Sequence, residues 1–382
     1  MSEFQYYEFQ AIDRPLDAAD REALRALSTR ARITATSFTN SYDWGDFKGD
    51  PDSLMETWFD LHLYLANWGS RRLMIRLPKR LVDLSLLDSF LGEVDCAEIR
   101  IAGENLILDI ARDELEVEDR DDDSDWDDDS DRLAAMAPLR ADVLAGDPRL
   151  FYLPWLIAVE DDAFGDDEPE PMPGIGPMTG ALQAFADFFA IDRNLVQAAA
   201  ERPAIAMRDS MSSGAAQRVI EALGHAEKTA MLSRLYDGDP HVVAELRAMV
   251  RKRSAIAAAP PASPRTVGVL RQRARALASA RERAEAEKAE SERKRQAEEA
   301  EKARRSRLVA IRRRGESVWK EVASEIERRN AAGYDRAQFL LSDLRAVAEE
   351  DGALDDFLRR LHALRQQHAR KEKLIERVAG LG

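Results

Sequence analysis

The first 115 residues alternate between short apolar runs and polar turns, a pattern typical of an α+β domain. Residues 4–12 and 33–42 are rich in aromatic and β-forming side chains and predict two strands. Residues 73–77 predict a third. Residues 97–101 and 106–110 predict a hairpin, so at least part of the sheet is expected to be antiparallel.

Helices are predicted between these strands. Pro15 introduces one over residues 16–27, and residues 84–91 predict a short one. Asp50-Pro51 is a strong helix start, with an acidic N-cap and a proline at the first position, and this helix is predicted to run to Asn67. Apolar residues nearly encircle it, so we expect it to be largely buried. They are Leu54, Met55, Trp58, Phe59, Leu61, Leu63 and Leu65.

Beyond residue 131 the apolar positions follow helical spacing. Helices are predicted over 133–145, 150–160, 179–190, 192–201, 215–223, 226–236 and 240–252. Residues 266–330 predict one long charged helix, and its segment 281–305 has no Leu, Ile, Val or aromatic residue. We interpret it as a solvated single helix or a weak coiled coil supported by i,i+4 ion pairs. Helices over 334–349 and 353–378 are predicted to fold back as a small bundle.

The predicted fold class is an α+β N-terminal domain, followed by a mainly α-helical domain and a long charged helix with a C-terminal helical bundle. The predicted boundaries are 1–115 for the aromatic-rich α+β domain, 116–131 for an acidic linker, 132–253 for the helical domain with a Pro/Gly/acidic loop at 161–178, 254–265 for an Ala/Pro linker, 266–330 for the long helix and 331–382 for a C-terminal helical hairpin or bundle.

The charge of the chain is divided between its two parts. The 382 residues include 71 acidic and 56 basic ones, a net charge of -15. Residues 1–249 hold 24 basic and 50 acidic residues, a net of -26, and residues 250–382 hold 32 and 21, a net of +11. Thirteen acids lie within residues 113–131, which predicts a disordered acidic linker. A segregated basic arm leaves nucleic acid open as a partner despite the negative total.

The composition also indicates a compartment. A single cysteine, Cys96, excludes an internal disulfide framework and any zinc site built from several cysteines, and it fits a reducing compartment. The N-terminus lacks the pattern of a signal peptide, and no stretch of eighteen uncharged apolar residues occurs. We therefore expect a cytoplasmic protein without a membrane span, and no cofactor is indicated.

Two segments resemble known bacterial sequences. The opening YYEFQAIDRPL, with WGDFKGDP and YLANWGSRRLMIRLP downstream, resembles a bacterial family of uncharacterised proteins. The closing segment, from Trp319 through YDRAQFLLSDLRAVAEEDG to FLRRLHALRQQHARKEKLIERV, is similar to the helical tail of bacterial SWIM-type zinc-finger proteins. The finger needs Cys-x-Cys…Cys-x-His ligands, which a chain with one cysteine lacks. The resemblance implies a shared tail, and with it a shared partner or complex, without metal binding.

Candidate catalytic chemistry is sparse. No Walker A sequence, GxSxG elbow or HExxH motif occurs. Four acids of one loop offer oxygen ligands to a hard cation, but their order is not that of an EF-hand, and we favour turn-forming and capping roles. They are Asp43, Asp46, Asp50 and Asp52. His62 lies among apolar residues, which favours a core histidine over a general base. A hydrolase-type or metal-dependent activity of the N-terminal domain, using this loop and His62, is a third alternative.

Aromatic and basic side chains offer more for binding. Twelve of the 26 aromatic residues lie within residues 1–68, where they indicate either an aromatic core or a groove for a peptide or a stacked base. The partner-binding candidates, all in glycine-containing loops, are Trp44, Phe47 and Trp68. The basic-arm candidates are Arg304, Arg305, Arg312, Arg313 and Arg314. These arginines predict phosphate contacts, a solvated or coiled-coil spacer, or docking on the acidic linker or an acidic partner.

We expect a non-catalytic adaptor or scaffold of a bacterial complex, which contacts protein partners through its N-terminal domain and its C-terminal helical region. The alternative is a nucleic-acid-associated protein that uses the basic arm at 250–314. The long helix also offers a surface for homodimerisation.

Overall fold

The computed structural model describes residues 3–115, 131–204, 213–254 and 264–381, without the side chains of 213–215 and 251–254. The predicted acidic linker at 116–131 and the Ala/Pro linker at 254–265 lie mostly outside the described residues. The chain forms two compact units, Met1–Ala280 and Arg281–Gly382. The predicted fold class is confirmed: an antiparallel sheet is followed by helices.

Seven strands form the sheet of the first unit. They are β1 (Gln5–Gln10), β2 (Arg32–Ile33), β3 (Ser37–Tyr42), β4 (Leu61–Ala66), β5 (Arg71–Pro78), β6 (Ala97–Ala102) and β7 (Asn105–Arg112). Their spatial order is β2-β3-β1-β4-β5-β7-β6, and every neighbouring pair is antiparallel. The predicted hairpin is the pair β6–β7 at one edge of the sheet.

Strand β4 replaces the second half of a predicted helix. Asp50 caps the helix start as expected, because its side chain accepts from the amides of Asp52 and Ser53, but the helix α2 ends at Thr57 (Pro51–Thr57). The prediction of a helix to Asn67 is therefore wrong. A central strand buried on both faces has apolar residues in succession rather than in alternation, so its pattern does not distinguish it from a buried helix.

Each face of the sheet is covered by different helices. The face that carries Phe9, Phe38 and Met74 is covered by α1 (Ala18–Leu27) and α2. The opposite face is covered by α3 (Leu84–Leu91), α4 (Arg132–Met136), α5 (Pro138–Leu144), α6 (Arg149–Glu160), α7 (Gly180–Phe188) and α8 (Arg193–Ala200).

One apolar core joins the sheet to the helices that follow it. Leu63, Leu65 and Leu73 of the sheet share this core with Leu153 of α6 and Phe185 of α7. The division predicted at residues 116–131 therefore does not separate two cores. Sequence composition identified the acidic run but had no means of showing that the segments on either side of it pack together.

Three further helices belong to the first unit: α9 (Ser213–Ala222), α10 (His225–Tyr236) and α11 (Val242–Ser254). Polar contacts connect this group to the segments that follow β1 and β5. His241 Nε2 lies 2.8 Å from Asp13 Oδ2, and Arg140 holds the same carboxylate with both terminal nitrogens. Arg80 Nη2 lies 3.2 Å from Asp239 Oδ2.

The long helix α12 (Val267–Arg314) begins at a buried ion pair. The side chains of Arg265 and Glu170 are 6% and 0% exposed, with Arg265 Nη2 3.0 Å from Glu170 Oε2. Tyr152 donates its hydroxyl to the same carboxylate at 2.8 Å, and Arg265 Nη1 donates to the carbonyl of Ala198 at 2.8 Å. The predicted loop 161–178 thus supplies the buried partner that fixes the entry to the helix.

Helix α12 ends earlier than predicted. Gly315, with φ +50°, separates it from α13 (Glu316–Glu327), so the single helix predicted over 266–330 is wrong beyond Arg314. A positive φ is favourable for glycine and interrupts the helical backbone. All residues from 282 to 307 are exposed, which agrees with a solvated charged helix.

The second unit is a helical bundle with its own core. Its remaining helices are α14 (Ala331–Glu350), α15 (Leu354–Gln367) and α16 (Glu372–Val378), so the helix predicted over 353–378 is divided in two. Val318, Val322, Leu341, Leu361 and Leu374 are buried together in this core. In the described part of the chain, no helix is both long enough and apolar enough to cross a membrane.

The ion pair at the start of α12 generates a stability prediction. Arg265→Met leaves the Glu170 carboxylate buried without its partner charge, and we expect this change to lower the free energy of unfolding by about 3–5 kcal/mol. Arg273→Met removes an exposed pair with Glu201 and is the matched control, for which we expect little change. Urea unfolding followed by tryptophan fluorescence measures both. Equal stability of the two variants would contradict the assignment.

Candidate protein-interaction surfaces

The two predicted tryptophan loops leave the same end of the sheet. Gln5, the first residue of β1, lies opposite Tyr42 on one side and opposite Ala66 on the other. These two residues end β3 and β4, which flank β1. Neighbouring strands are about 4.8 Å apart, so the two loops begin roughly 10 Å from each other.

Trp44 is the more exposed of the two, at 72%. The next residue, Gly45, has φ +85°, which turns the loop sharply. Gln5 of β1 anchors this loop, because its Nε2 donates to the carbonyl of Gly45 at 3.3 Å and to Asp46 Oδ1 at 3.1 Å. The indole is therefore presented on a loop that is bonded to the sheet.

Trp68 is 48% exposed and lies in the tight turn between β4 and β5. Its Nε1 donates to Ser70 Oγ at 3.0 Å. Gly69 has φ +97°, and a Cβ at this position would lie 2.4 Å from the carbonyl oxygen of Leu115, so only glycine fits. Asn67 binds Phe4 through its amide nitrogen and its side-chain oxygen, both at 3.0 Å.

Phe47 does not belong to this exposed group, which corrects the sequence prediction. It is 9% exposed, and its ring centroid lies 5.1 Å from that of Tyr7 and 5.6 Å from that of Phe38. The loop after Trp44 turns back, so the phenylalanine fills the aromatic core under α2 instead of facing solvent.

We name the exposed rings of Trp44 and Trp68 with the carboxylates of Asp43, Asp46 and Asp113 the tryptophan end. Leu115 donates its amide to the carbonyl of Gly69 at 3.3 Å, which places the acids that precede it beside the Trp68 turn. Burial raises the pKa of Tyr64 in the neighbouring strand, the carboxylates of Asp113 and Asp46 raise it further, and the guanidinium of Arg71 lowers it. The two carboxylates that act on Tyr64 outnumber the one guanidinium, and this excess of negative charge favours cations at the faces of the two indoles.

Three of the four acids considered as a cation loop have separate partners. Asp50 caps α2, and Asp46 accepts from Gln5. Asp52 Oδ1 lies 2.8 Å from Arg72 Nη2 and 2.7 Å from Arg100 Nη2. Among the described residues, no group of three or more His, Cys, Asp or Glu side chains is placed to hold a metal ion.

His62 lies in the aromatic core. It is 0% exposed, its ring stacks on Phe9 with centroids 4.0 Å apart, and its Nδ1 lies 2.9 Å from the carbonyl oxygen of Glu8. Burial lowers the pKa of His62 to about 3. A neutral, enclosed imidazole is poorly suited to act as a general base on a bound substrate. The position of His62 therefore does not favour the alternative in which it is the catalytic base.

The first part of the basic arm is exposed. Arg304 and Arg305 are 58% and 77% exposed and pair with Glu301 of the same helix, at 4.0 and 3.0 Å. Arg313 has no ion pair within the described part of the chain. Exposed pairs of this kind contribute little to stability.

The end of the arm pairs with acids of the second unit. Arg312 Nη2 lies 2.9 Å from Glu350 Oε2 and 2.7 Å from Asp351 Oδ1. Arg314 pairs with Glu321. Two of the five arginines predicted to contact phosphate are thus already bound to carboxylates of their own unit, and this does not favour a phosphate-binding role for them.

Helix α10 carries an apolar stripe that the sequence pattern did not mark as a surface. Leu232, Leu235 and Tyr236 are 65%, 51% and 92% exposed, and the helix buries none of its residues. Their spacing of three and four residues was visible in the sequence, but this spacing is equally typical of a helix whose apolar face is covered.

Comparisons of the chain with protein-family models, with curated proteins and with solved structures found no match. The likeness of the C-terminal segment to the tail of SWIM-type zinc-finger proteins therefore stays a prediction.

The buried histidine generates a pH prediction. The pKa of His62 is lower in the folded protein than in the unfolded chain, so below pH 6.5 the unfolded chain binds the proton first and stability is lost as the pH falls. Between pH 8 and pH 5 this group removes about 2 kcal/mol from the free energy of unfolding. We expect His62→Phe, which keeps the ring stacked on Phe9, to lack this loss.

Urea unfolding of both proteins at pH 8 and at pH 5 provides the measurement. The difference in stability between the two proteins should shift in favour of His62→Phe at the lower pH. An identical shift with pH in both proteins would show that this imidazole is not enclosed as described.

Proposed function

We propose that this chain is a non-catalytic adaptor that binds a protein partner through the tryptophan end of its sheet. The observation that carries the proposal is the exposure of Trp44 and Trp68 on two neighbouring loops that are bonded to the strands below them. Exposed, well-positioned tryptophans are the side chains that most often dominate the affinity of protein interfaces. The loops are fixed before binding, so little conformational entropy is lost when a partner docks.

The chemistry of the surface favours a basic partner segment. Lysine and arginine side chains bind over indole rings, and the carboxylates of Asp43, Asp46 and Asp113 complement their charge. The first 249 residues carry a net charge of -26, which steers a basic partner toward this unit and repels an acidic one. The ligand proposed for this surface is thus a Lys- or Arg-rich segment of another protein.

The second unit supplies the other contact of the proposed adaptor. Its helices carry the segment that resembles the tail of SWIM-type zinc-finger proteins, and that resemblance supports a partner common to both kinds of protein. The charged, exposed section of α12 at residues 282–307 belongs to this second unit and is supported by ion pairs along the helix itself.

A co-purification experiment tests the proposal. Three tagged full-length proteins are purified from the native host: the wild type, the double variant Trp44→Ala/Trp68→Ala, and the single variant Tyr236→Ala. We expect a stoichiometric partner with the wild type and with Tyr236→Ala, and at least a tenfold loss of it with the double variant, because truncation of buried interface tryptophans costs about 2 kcal/mol or more each.

Tyr236→Ala tests the other exposed apolar surface, the stripe of α10, at an aromatic residue that is 92% exposed. Loss of the partner with this variant and not with the double variant would place the contact on α10 and refute the role of the tryptophan end. Recovery of the same partner in the same amount by all three proteins would refute the role of the tryptophan end. Recovery of no stoichiometric partner by the wild type would refute the adaptor function itself.

A further inference from the structure

Strand β6 leaves one edge of the sheet open. It pairs with β7 alone, and β7 lies between it and β5. Its six residues, Ala97–Ala102, contain no proline, and the described residues place no other strand beside it. An uninterrupted edge strand of this kind is a template for pairing with a further strand.

The hydrogen-bond pattern identifies the residues that face outward. Ala111 donates its amide to the carbonyl of Cys96 at 2.9 Å, and the register continues with Ala97 opposite Ile110. In an antiparallel ladder every second residue is bonded to the neighbouring strand, so Glu98 and Arg100 are bonded to β7. The amide and carbonyl groups of the alternate residues, Ile99 and Ile101, point to the open edge.

The side chains of β6 divide between the two faces of the sheet. Ile99 and Ile101 lie opposite Leu108 and Leu106, which belong to the core shared with the helices. Ile101 is nevertheless 53% exposed, since no further strand continues this core. Glu98 and Arg100 lie on the other face.

We propose that a second copy of this chain pairs with the open edge, β6 against β6 in antiparallel orientation, about a two-fold axis at Ile99. In this register the amide of each Ile99 donates to the Ile99 carbonyl of the other copy. Each Ile101 lies opposite Ala97, so the apolar face continues across the axis. The sheets of the two copies then form one continuous sheet, by the strand addition that many proteins use for recognition.

The charges favour this register over the two adjacent ones. With the axis at Ile99, each Glu98 lies opposite the Arg100 of the second copy, a pair of opposite charges on neighbouring strands. A register centred on residue 98 places the two glutamates opposite each other, and one centred on residue 100 does the same with the two arginines. Both arrangements are destabilising, because like charges face each other.

The opposite edge of the sheet explains why pairing stops at two copies. That edge is β2, which has only two residues, Arg32 and Ile33. Very short edge strands are poor templates for strand addition. Pairing through β6 therefore gives a closed dimer with a self-complementary interface rather than a fibre.

Sedimentation equilibrium of the full-length protein tests the dimer. We expect the wild type to be dimeric and Ile101→Lys to dissociate at least tenfold more readily, because the new charge lies beside the axis at an edge position. Ile12→Lys is the matched control, since Ile12 is exposed to a similar degree, 46%, away from this edge. A monomeric wild type, or equal dimerisation of both variants, would overturn the proposal. Circular dichroism of each variant verifies that it is folded.

Cysteine cross-linking tests the register independently. In a Cys96→Ser background, Ile99→Cys places two thiols in a directly opposed pair, whose Cα atoms are about 5.5 Å apart and within disulfide reach. Ile101→Cys places them about 13 Å apart, since each lies opposite residue 97 of the other copy. We expect oxidation to cross-link the first variant and not the second. Cross-linking of the second variant alone, or of neither, would contradict this register.

Discussion

The burial of β4 on both of its faces is the constraint on which the first unit depends. Leu63 and Leu65 are fully buried on one face and His62 on the other, so neither face of this strand can be left to solvent. The aromatic side is short and is closed by α1 and α2, which come from the same part of the chain. The leucine side is larger, because residues 97–112 add Leu106, Leu108 and Ile110 to it, and its core includes residues of α3 and of the helices from α4 to α8. The helices beyond the acidic run are therefore part of the same folding unit as the sheet.

The same core determines where the long helix begins. Val267 and Leu270, in its first turns, are buried in the core of the first unit, and the pair of Arg265 with Glu170 fixes the segment just before them. A buried carboxylate that accepts from both Arg265 and Tyr152 is fully satisfied, which is the condition for leaving a charge in an apolar interior. After this anchor the helix loses its apolar positions, and its exposed middle section depends on its own charge pattern.

Much of this fold follows from the sequence, and the exceptions have physical causes. The hairpin of β6 and β7 and the N-cap at Asp50 could be predicted because turns and caps depend on a few neighbouring residues. Strand β4 was predicted as a helix because burial on two faces removes the alternation that marks a strand. Phe47 was grouped with Trp44 because both lie in one loop, and only the fold shows that one ring points inward and the other outward. The open edge of β6 follows from strand order, which depends on long-range pairing and not on local pattern.

Native-state hydrogen exchange, resolved by residue, tests most directly whether the sheet and the later helices form one core. We predict that amides of β4, at Leu63 and Leu65, and amides in the middle of α6, at Leu153 and Leu156, exchange with the same free energy of opening and respond equally to denaturant, because the same cooperative unit must open to expose them. If α6 exchanged at a distinctly lower free energy than β4, the helices would open while the sheet stayed folded, and the shared core described for this protein would be contradicted.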